Sequence, residues 1–539
     1  MYDAYYVADF ETSNTWELGL KAQDCHAWVW LWTITEIGNL DIDEVMYGVD
    51  ITSFLAKCDE LSQDGEIVVF FHNLKYDGSY LLNNLPLAEV ETVIDGFGRF
   101  YEIKYKNIRF WDSLKKINSS VLQIGRDFKT QYQKIEDFDY SNRTLDYTPT
   151  EDDILYAKHD VLVMSEALSE LFKNGMKGMT VSGDAFKLAK NSVGWNTFER
   201  LFPCSNELDR LIRPSYFGGW VYLNPKYIEK KIQNFFIYDV NSEYPAICVN
   251  EPLPYGKPKF VDEIPKGLFI IKFKAIAKLK EGVFPFVSMK GNFRYCQTDL
   301  LTETDGLESF TMTSVDYYAF LEYYNVEIYK IDWILSFKSR KGIFKEFIEI
   351  NYEIKNNSVG AAKAVAKLKM NSFTGRMAMN PERKNKVPSI EDDILKFREG
   401  DLDVVDSIYP AFTAFTTAYG RRYVHDLACS LGDNFIYSDT DSVHSFQQLP
   451  SEKIDNIALG KFKEENVCKC GLYLRPKTYM YTNDKGQTKV KCAGLPIKGK
   501  QLITYDNFKP GLVLESVKNQ AKQAKGGIIL VPGPFKIRV

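Results

Sequence analysis

The sequence predicts a multidomain protein in which an α/β unit is followed by a larger α+β unit, and three observations carry that expectation. First, YYVADFET and, near residue 70, EIVVFFHNL are short runs rich in β-branched and aromatic residues, whereas ILYAKHDVLVMSEALSELF, from Ile154 to Phe172, has helical periodicity. Strands followed by a helix fit an α/β arrangement. Second, three glycines in small polar company at NGMKGMTVSGD, residues 174–184, end that helix and mark a domain boundary. Third, a chain of 539 residues, 45% hydrophobic and 26% charged, is longer than one ordinary core organises.

Beyond the break, FFIYDVNSEYP reads as a strand ending in a turn, AAKAVAKLKMNSF as a lysine-bearing helix, and NFIYSDTDSVHSF as a hairpin with an acidic tip. The stretch from about Glu251 to Phe337 has strand and helix patterns of its own, so it reads as an inserted subdomain and not a loop. The sequence contains no internal repeat and no low-complexity tract.

Composition narrows the function. A formal charge of −5 speaks against a protein that coats nucleic acid without specificity, because such proteins are basic overall. The charge is uneven, however. From Gly471 to Val539 there are thirteen Lys and Arg against three acids, so this end is either a grip for a phosphate backbone or a plain solvated basic face. Aromatic residues make up 14% of the chain, enough for base-stacking surfaces, although core packing is the commoner duty of a ring. The N-terminus MYDAYYVADF has neither a basic leader nor a long apolar stretch, and no later run reaches the roughly eighteen apolar residues of a membrane span. Nine Cys without a repeated spacing fit reduced thiols, and the lone CxC of Cys468 and Cys470 lacks the second pair that a structural zinc site wants.

Two sets of acids carry the chemistry. Asp9 and Glu11 lie two apart on a predicted strand, which puts both carboxylates on one face. Asn73 and Asp77 are four apart in HNLKYDGSY, and Tyr156 and Asp160 are four apart on the later helix, so each pair is expected to share a helical face. Asp9, Glu11, Asp77 and Asp160 can then converge on two divalent cations such as Mg²⁺ or Mn²⁺, the oxygen-rich setting that activates water and neutralises a leaving oxygen. Any one pair is a weak signal, since DxE is common on surface strands; the ordered set is stronger.

In the second unit Asp239 ends the strand of YDVNSEYP, while Asp439 and Asp441 flank Thr440 in YSDTDS. Acids in solvent-facing turns explain either segment alone, yet three from distant segments point to a second metal site. Between them Lys363, Lys367 and Asn371 fall at i, i+4 and i+8, so one helix face carries two cations and an amide. Such a face suits a triphosphate, though an ordinary exposed lysine stripe looks similar.

Taken in order, ADFET, HNLKYD and YAKHD resemble the three exonuclease motifs of the family B DNA polymerases, and DVNSEYP, KxxxNSxxG and YSDTDS resemble polymerase motifs A, B and C of that family. The resemblance implies an RNase H-like 3′-5′ exonuclease domain followed by a right-hand polymerase of palm, fingers and thumb, with two Mg²⁺ or Mn²⁺ ions per active site. For the exonuclease it implies Asp9, Glu11, Asp77 and Asp160 as metal ligands, Tyr156 orienting the attacking water and Lys134 of QYQKIEDF as the catalytic lysine. It also implies that Asn73, Tyr76, Ser113 and Leu114 hold a single-stranded 3′ end. For the polymerase it implies that Asp239, Asp441 and the Val240 carbonyl hold the ions, with Asp439 assisting. Lys363, Lys367, Asn371 and Ser242 would meet the incoming nucleotide, and Tyr244 would lie under the sugar and reject a 2′-hydroxyl. Lys477 and Tyr479 of LRPKTY match a motif that meets the primer strand. Thr374 stands where motif B usually has a tyrosine, which puts fidelity in question but removes no metal ligand.

SYFGGW, with Tyr216, Gly218 and Gly219, resembles the YxGG motif that couples the two domains in the protein-primed branch of the family, and the resemblance places these residues among the DNA contacts. FKSRKGIFKEFIE lies at the end of a segment similar to that branch's terminal protein region 1. The expected order is an exonuclease domain over 1–180, palm over 181–250 and 411–492, terminal protein region 1 over 251–342, fingers over 343–378, terminal protein region 2 over 379–410 and thumb over 493–539. The implied partners are template and primer DNA, dNTPs, a terminal protein offering the priming hydroxyl, and a single-stranded DNA-binding protein. The chain is expected to act as a monomer, away from membranes, in the cytoplasm of a host cell, with strand displacement on a linear phage or plasmid genome. A nucleic-acid-primed family B polymerase, and an exonuclease with a degenerate polymerase domain, stay open as alternatives.

Overall fold

The computed structural model describes the chain apart from residues 1, 14–20, 137, 140–142, 290–298 and 539. A seven-stranded sheet comes first, in the order Met46–Gly48, Val29–Glu36, Ala4–Thr12, Ile67–Phe71, Ile108–Asp112, Phe100–Tyr105, Val90–Ile94. Ala4–Thr12 runs parallel to Ile67–Phe71, which runs parallel to Ile108–Asp112, while Val29–Glu36 pairs antiparallel on the other side. Ile67–Phe71 is buried at every residue, as a central strand covered on both faces must be. Val7, Val68 and Phe70 pack on the helix Glu151–Lys173, and Ala8, Val69 and Phe71 pack on the other side with Phe54 and Leu81 of two further helices. This mixed sheet between helices is the RNase H-like arrangement.

The helix expected over Ile154 to Phe172 spans Glu151–Lys173, because Thr150 caps it: the Thr150 hydroxyl accepts from Asp153 N while the Asp153 carboxylate accepts from Thr150 N. The expected break at 174–184 is shorter than predicted. The helix Val181–Val193 already begins inside it, capped by Thr180. Fully buried Lys116 donates to the carbonyls of Met176 and Gly178 at 2.8 Å and pairs with Asp184, so the segment is a stapled connector and not a loose linker.

A second seven-stranded sheet, antiparallel throughout, has the order Thr488–Cys492, Thr478–Asn483, Phe462–Arg475, Lys231–Val240, Ser442–Ser445, Phe435–Asp439, Val221–Leu223. The helix Pro410–Leu431 covers it through Val424, Leu427 and Leu431, against Tyr238, Val240 and Phe435. The stretch that follows Lys231–Val240 forms a sheet of its own. Leu253–Val261, Tyr324–Arg340, Leu268–Leu279 and Glu308–Thr313 make a four-stranded sheet that packs with the helix Ser314–Tyr323 around Phe269, Phe273, Phe310 and Phe320.

The helices Lys345–Asn357 and Gly360–Met377 follow, then the hairpin Glu382–Glu391 with Ile394–Val404, and near the C-terminus the hairpin Val513–Ala524 with Gly527–Lys536. Leu395 of the first hairpin and Ala524 and Ile529 of the second belong to the same apolar cluster as Phe71, Tyr80 and Phe100 of the first sheet unit. Among the described residues every cysteine is free, with Cys470 hydrogen-bonded to Tyr505, and no helix is long and apolar enough to cross a membrane.

Two candidate active sites

Alternation along Ala4–Thr12 turns Asp9 and Glu11 to the face that carries Val7, toward the helix Glu151–Lys173. Asp77 comes from the first turn of Leu74–Asn84 and Asp160 from Glu151–Lys173, and all four carboxylates line one cavity of about 560 Å³ together with His72, Asn73 and Tyr76. Crowding shows in their acidity. Burial, then the Asp160 charge, push Asp9 up to about 7, and burial with the Asp9 charge holds Glu11 and Asp77 well above the ordinary carboxylate range. Burial also raises Asp160, against the pull of Lys134. Lys134 Nζ pairs with Asp160 and donates to Tyr156 Oη at 2.8 Å, and the Tyr156 ring stacks on Phe138 with centroids 3.9 Å apart. Among the described residues Asp160 Oδ1 is buried without a hydrogen-bond partner.

Among the described residues, no three His, Cys, Asp or Glu side chains are gathered tightly enough to hold one ion between them as they stand. Asp160 turns one oxygen to Lys134. The donor set is nevertheless all oxygen, with one buried oxygen unpaired, which fits a hard divalent cation. Asn73 does not share a helical face with Asp77 as its spacing predicts. It precedes the helix in a left-handed conformation, φ 84°, where its N–H and that of Leu74 donate to Asp112 Oδ1. Tyr76 Oη hydrogen-bonds Thr12 Oγ1 at 2.7 Å, and Leu114 is half-buried. Ser113 is fully buried, its hydroxyl donating to the Phe71 carbonyl and meeting His72 Nδ1, so it fixes the His72 ring in the cavity wall and does not present its own side chain.

In the second sheet, register sets Asp239 opposite Ser442, and Val240 N donates to the Asp441 carbonyl at 2.8 Å, which brings Asp441, in the turn before Ser442–Ser445, beside Asp239. Burial, then the Asp441 charge, push Asp239 up to about 7, and burial raises Asp441 as well. Asp439 lies across the turn with Oδ1 2.6 Å from Lys477 Nζ. The loop that carries Tyr216, Gly218 and Gly219 runs against this turn: Thr440 N donates to the Trp220 carbonyl at 2.9 Å, and a Cβ on Gly219 would lie 2.6 Å from Thr440 Cγ2. Facing the acids, Lys363, Lys367 and Asn371 are exposed on one side of Gly360–Met377, while Ala361, Ala364, Val365 and Leu368 pack on the first domain. Ser242, at φ 51°, turns the chain from strand to helix and accepts from Lys355 Nζ at 2.9 Å; Tyr244 follows it, half-buried. Tyr479 stacks on Tyr473 with centroids 5.1 Å apart, and Lys477 N donates to Tyr437 Oη.

Residues 135–458 match the family described as DNA polymerase type B, organellar and viral. The chain belongs to that family. The polymerase is 33% identical to the DNA polymerase of Bacillus phage phi29 over 99% of both chains, and 27% identical to that of Streptococcus phage Cp-1, over 99% of this chain and 98% of the relative. The solved structure of phi29 DNA polymerase complexed with primer-template DNA matches it with a TM-score of 0.90 at 30% identity, over 99% of this chain and 100% of that one. The complex of phi29 DNA polymerase with primer-template DNA and incoming nucleotide substrates matches at 0.89 and 31%, with the same coverage. The polymerase is therefore of the phi29 type, in family and in its multidomain α/β and α+β fold.

Sequence reasoning passed over several residues of the polymerase's two sites. Asn519 and Leu530, from the C-terminal segment, complete the wall of the first cavity together with Lys498, which the sequence marks only as part of the basic C-terminal stretch. Lys355 joins the lysines of the second site: burial, then Lys367 and Lys363, push its ammonium pKa down. It sits on the preceding helix, so no spacing rule links it to them. Glu465, on Phe462–Arg475, adds a negative charge that raises both Asp239 and Asp441. Glu243 is buried, and among the described residues neither of its oxygens has a hydrogen-bond partner; burial and the Asp441 charge hold its carboxyl well above the ordinary range. Gly420 leaves the room that carboxyl takes, since a Cβ there would come within 3.1 Å of it. Thr374 is buried, its carbonyl accepting from Thr413 Oγ1 at 2.7 Å.

Proposed function

We propose that this polymerase extends a DNA primer with deoxynucleoside triphosphates on a DNA template and trims mispaired 3′ ends with its own 3′-5′ exonuclease. The observation that carries the reading is the presence of two separate acid clusters on two different sheets, each with lysines against it. In the polymerase site Asp239, Asp441 and the Val240 carbonyl would hold two Mg²⁺ or Mn²⁺ ions with Asp439 beside them, and in the exonuclease site Asp9, Glu11, Asp77 and Asp160 would hold two more. When bound, the ions supply charge neutralisation at the reacting phosphate and a more acidic water.

The chain's own side chains divide the remaining work. Lys355, Lys363, Lys367 and Asn371 grip the triphosphate, and Tyr244 closes the space a 2′-hydroxyl would need. Lys477 and Tyr479 hold the primer strand. In the exonuclease site Lys134 neutralises Asp160 and orients Tyr156 toward the water, while Asn73, Tyr76 and Leu114, with Lys498 and Asn519 opposite, hold the frayed end. On this reading the exonuclease domain covers 1–180, the palm 181–250 and 411–492, the fingers 343–378 and the thumb 493–539.

The inserted sheet over 251–342 and the hairpin within 379–410 would be the two terminal protein regions. Likeness to phi29 DNA polymerase over nearly the whole chain supports a protein-primed start, strand displacement on a linear genome and work as a monomer in the cytoplasm of a host cell. A terminal protein and a single-stranded DNA-binding protein would be its partners. Primer extension and 3′-end degradation on the same labelled DNA test the division of labour. Asp441→Ala is expected to abolish extension and spare degradation, and Asp9→Ala to do the reverse. Loss of both activities from either single change, with the fold kept, would refute the two-site reading. Covalent transfer of labelled dNMP to a candidate terminal protein separates protein priming from nucleic-acid priming.

A further inference from the structure

We infer that the buried ion pair Asp316–Arg421 positions the polymerase site, fixing the acidic turn Asp439–Asp441 from the inserted subdomain. The inference rests on the reading of that turn as the polymerase metal site. Arg421 belongs to the helix Pro410–Leu431 under the second sheet, and Asp316 to the helix Ser314–Tyr323 of the insertion; they are 4% and 5% exposed. Both Asp316 oxygens lie 2.8 Å from Arg421 Nη2, and Oδ2 also accepts from Thr313 Oγ1 at 2.7 Å. Arg421 Nη1 donates to the carbonyls of Phe217 and Gly218, each at 2.7 Å. The planar guanidinium therefore holds the carboxylate on one side and the loop backbone on the other, a geometry a lysine could not copy. A buried ion pair adds little net stability against apolar packing, so what this one supplies is a fixed position.

That position is passed on. The gripped carbonyls lead directly into Gly219 and Trp220, which meet Thr440: the Trp220 carbonyl accepts from Thr440 N at 2.9 Å, and Gly219 lies so close that a Cβ would strike the Thr440 side chain. Thr440 is β-branched yet left-handed, φ 65°, and Asp441 N donates back to the Asp439 carbonyl at 2.9 Å to close a one-residue turn. A β-branched residue keeps such a backbone only where its surroundings hold it there. The bond from Val240 N to the Asp441 carbonyl holds the turn from the strand side, and the loop, gripped by Arg421, holds it from the other. Loss of the pair frees the loop side of the turn and lets the Asp441 carboxylate swing away from Asp239. The exonuclease cavity, on the other sheet, and the lysines of Gly360–Met377 have no part in this chain of contacts.

The test uses the full-length protein as Asp316→Asn, Gly219→Ala, the double variant and Asp441→Ala. Asp316→Asn keeps shape and an acceptor while loosening the grip; Gly219→Ala pushes on Thr440 directly. Asp316→Asn weakens a buried ion pair and is expected to lower the melting temperature yet to keep 3′-end degradation, and both single variants are expected to need about five- to tenfold more Mg²⁺ for half-maximal extension and to lower kcat with little change in the dNTP KM. The double variant is expected to be no worse than the worse single, since both act on one step. Mn²⁺ affinity, read by electron paramagnetic resonance in an Asp9→Ala background, should fall by the same factor. An unchanged Mn²⁺ affinity in Asp316→Asn would overturn the inference, and so would a parallel fall of extension, degradation and melting temperature. Extension surviving Asp441→Ala would instead remove the reading of the site beneath it.

Discussion

Glu11, Asp77 and Asp160 are buried carboxylates whose neighbours include other carboxylates, an arrangement that a metal-free fold tolerates by holding protons. Their folded pKa values stand above the unfolded ones, and Asp9 reaches about 7. Between roughly pH 4 and 7 the folded chain therefore binds more protons than the unfolded chain, and by linkage the metal-free protein loses stability as pH climbs through that window. Asp239, also near 7, has the same sign. Divalent cations compete with those protons, so the rise in melting temperature on exchanging EDTA for Mn²⁺ is expected to be larger near pH 8 than near pH 6. Equal rises at the two pH values would contradict this assignment of buried, proton-holding ligands. Asp77→Asn takes one charge out of the cluster, so near pH 8 the EDTA-treated variant is expected to melt about 1–3 °C above the parent while 3′-end degradation is lost. A lower melting temperature would mean that Asp77 stabilises the metal-free fold and does not burden it.

At the scale of elements, Gly360–Met377 shows how one helix serves two domains: Val365 and Leu368 anchor it to the first domain while Lys363, Lys367 and Asn371 stay exposed toward the second site. Lys367→Ala is expected to raise the dNTP KM and lower kcat/KM about 10- to 100-fold while leaving degradation unchanged, as steady-state kinetics on one primer-template would read. That stripe was legible in the sequence because a helix repeats locally, and so were the strands bearing Asp9, Glu11 and Asp239, whose acids sit in otherwise apolar runs. Asn73 was misread because the i, i+4 rule assumes both residues lie inside the helix, whereas Asn73 is the residue before it. Lys355 and Glu465 carried no local signal, and Lys498 carried only its share of the basic C-terminal stretch. They reach their sites through helix pairing, strand register and the return of the C-terminus, which are contacts between distant segments. Ser113 shows the converse limit, since a motif can name a position without telling whether its side chain faces the cavity or holds the wall behind it.

Across the whole molecule, the C-terminal hairpin ties the second sheet unit back to the first domain. Tyr80 Oη donates to the Ile528 carbonyl at 2.6 Å, Ala27 N donates to the Lys525 carbonyl at 2.8 Å, and Lys525 N returns a bond to the Cys25 carbonyl at 3.1 Å. The turn can approach so closely only because it is built of glycine: a Cβ on Gly527 would lie 2.3 Å from the Tyr80 ring, and one on Gly526 2.6 Å from the Ala27 carbonyl. The hairpin within 382–404 reaches the same apolar cluster through Leu395, so both hairpins dock on the first sheet unit, and Leu514 packs the C-terminal one against Leu472 and Met480 of the second sheet. Such docking, with thirteen Lys and Arg in the C-terminal stretch from Gly471, suits the proposed hold on a phosphate backbone. Gly527→Val forces the hairpin tip off Tyr80 without touching either acid cluster. In a single-encounter extension assay with a trap for free enzyme, product length is expected to fall about tenfold, while the rate per added nucleotide stays near that of the parent. Degradation of single-stranded DNA is expected to weaken too, because Asn519 and Leu530 leave the first cavity with the hairpin. Product lengths equal to the parent's would show that the docked hairpin tip does not retain DNA, and the basic C-terminal stretch would then be the solvated face that its charge alone equally allows.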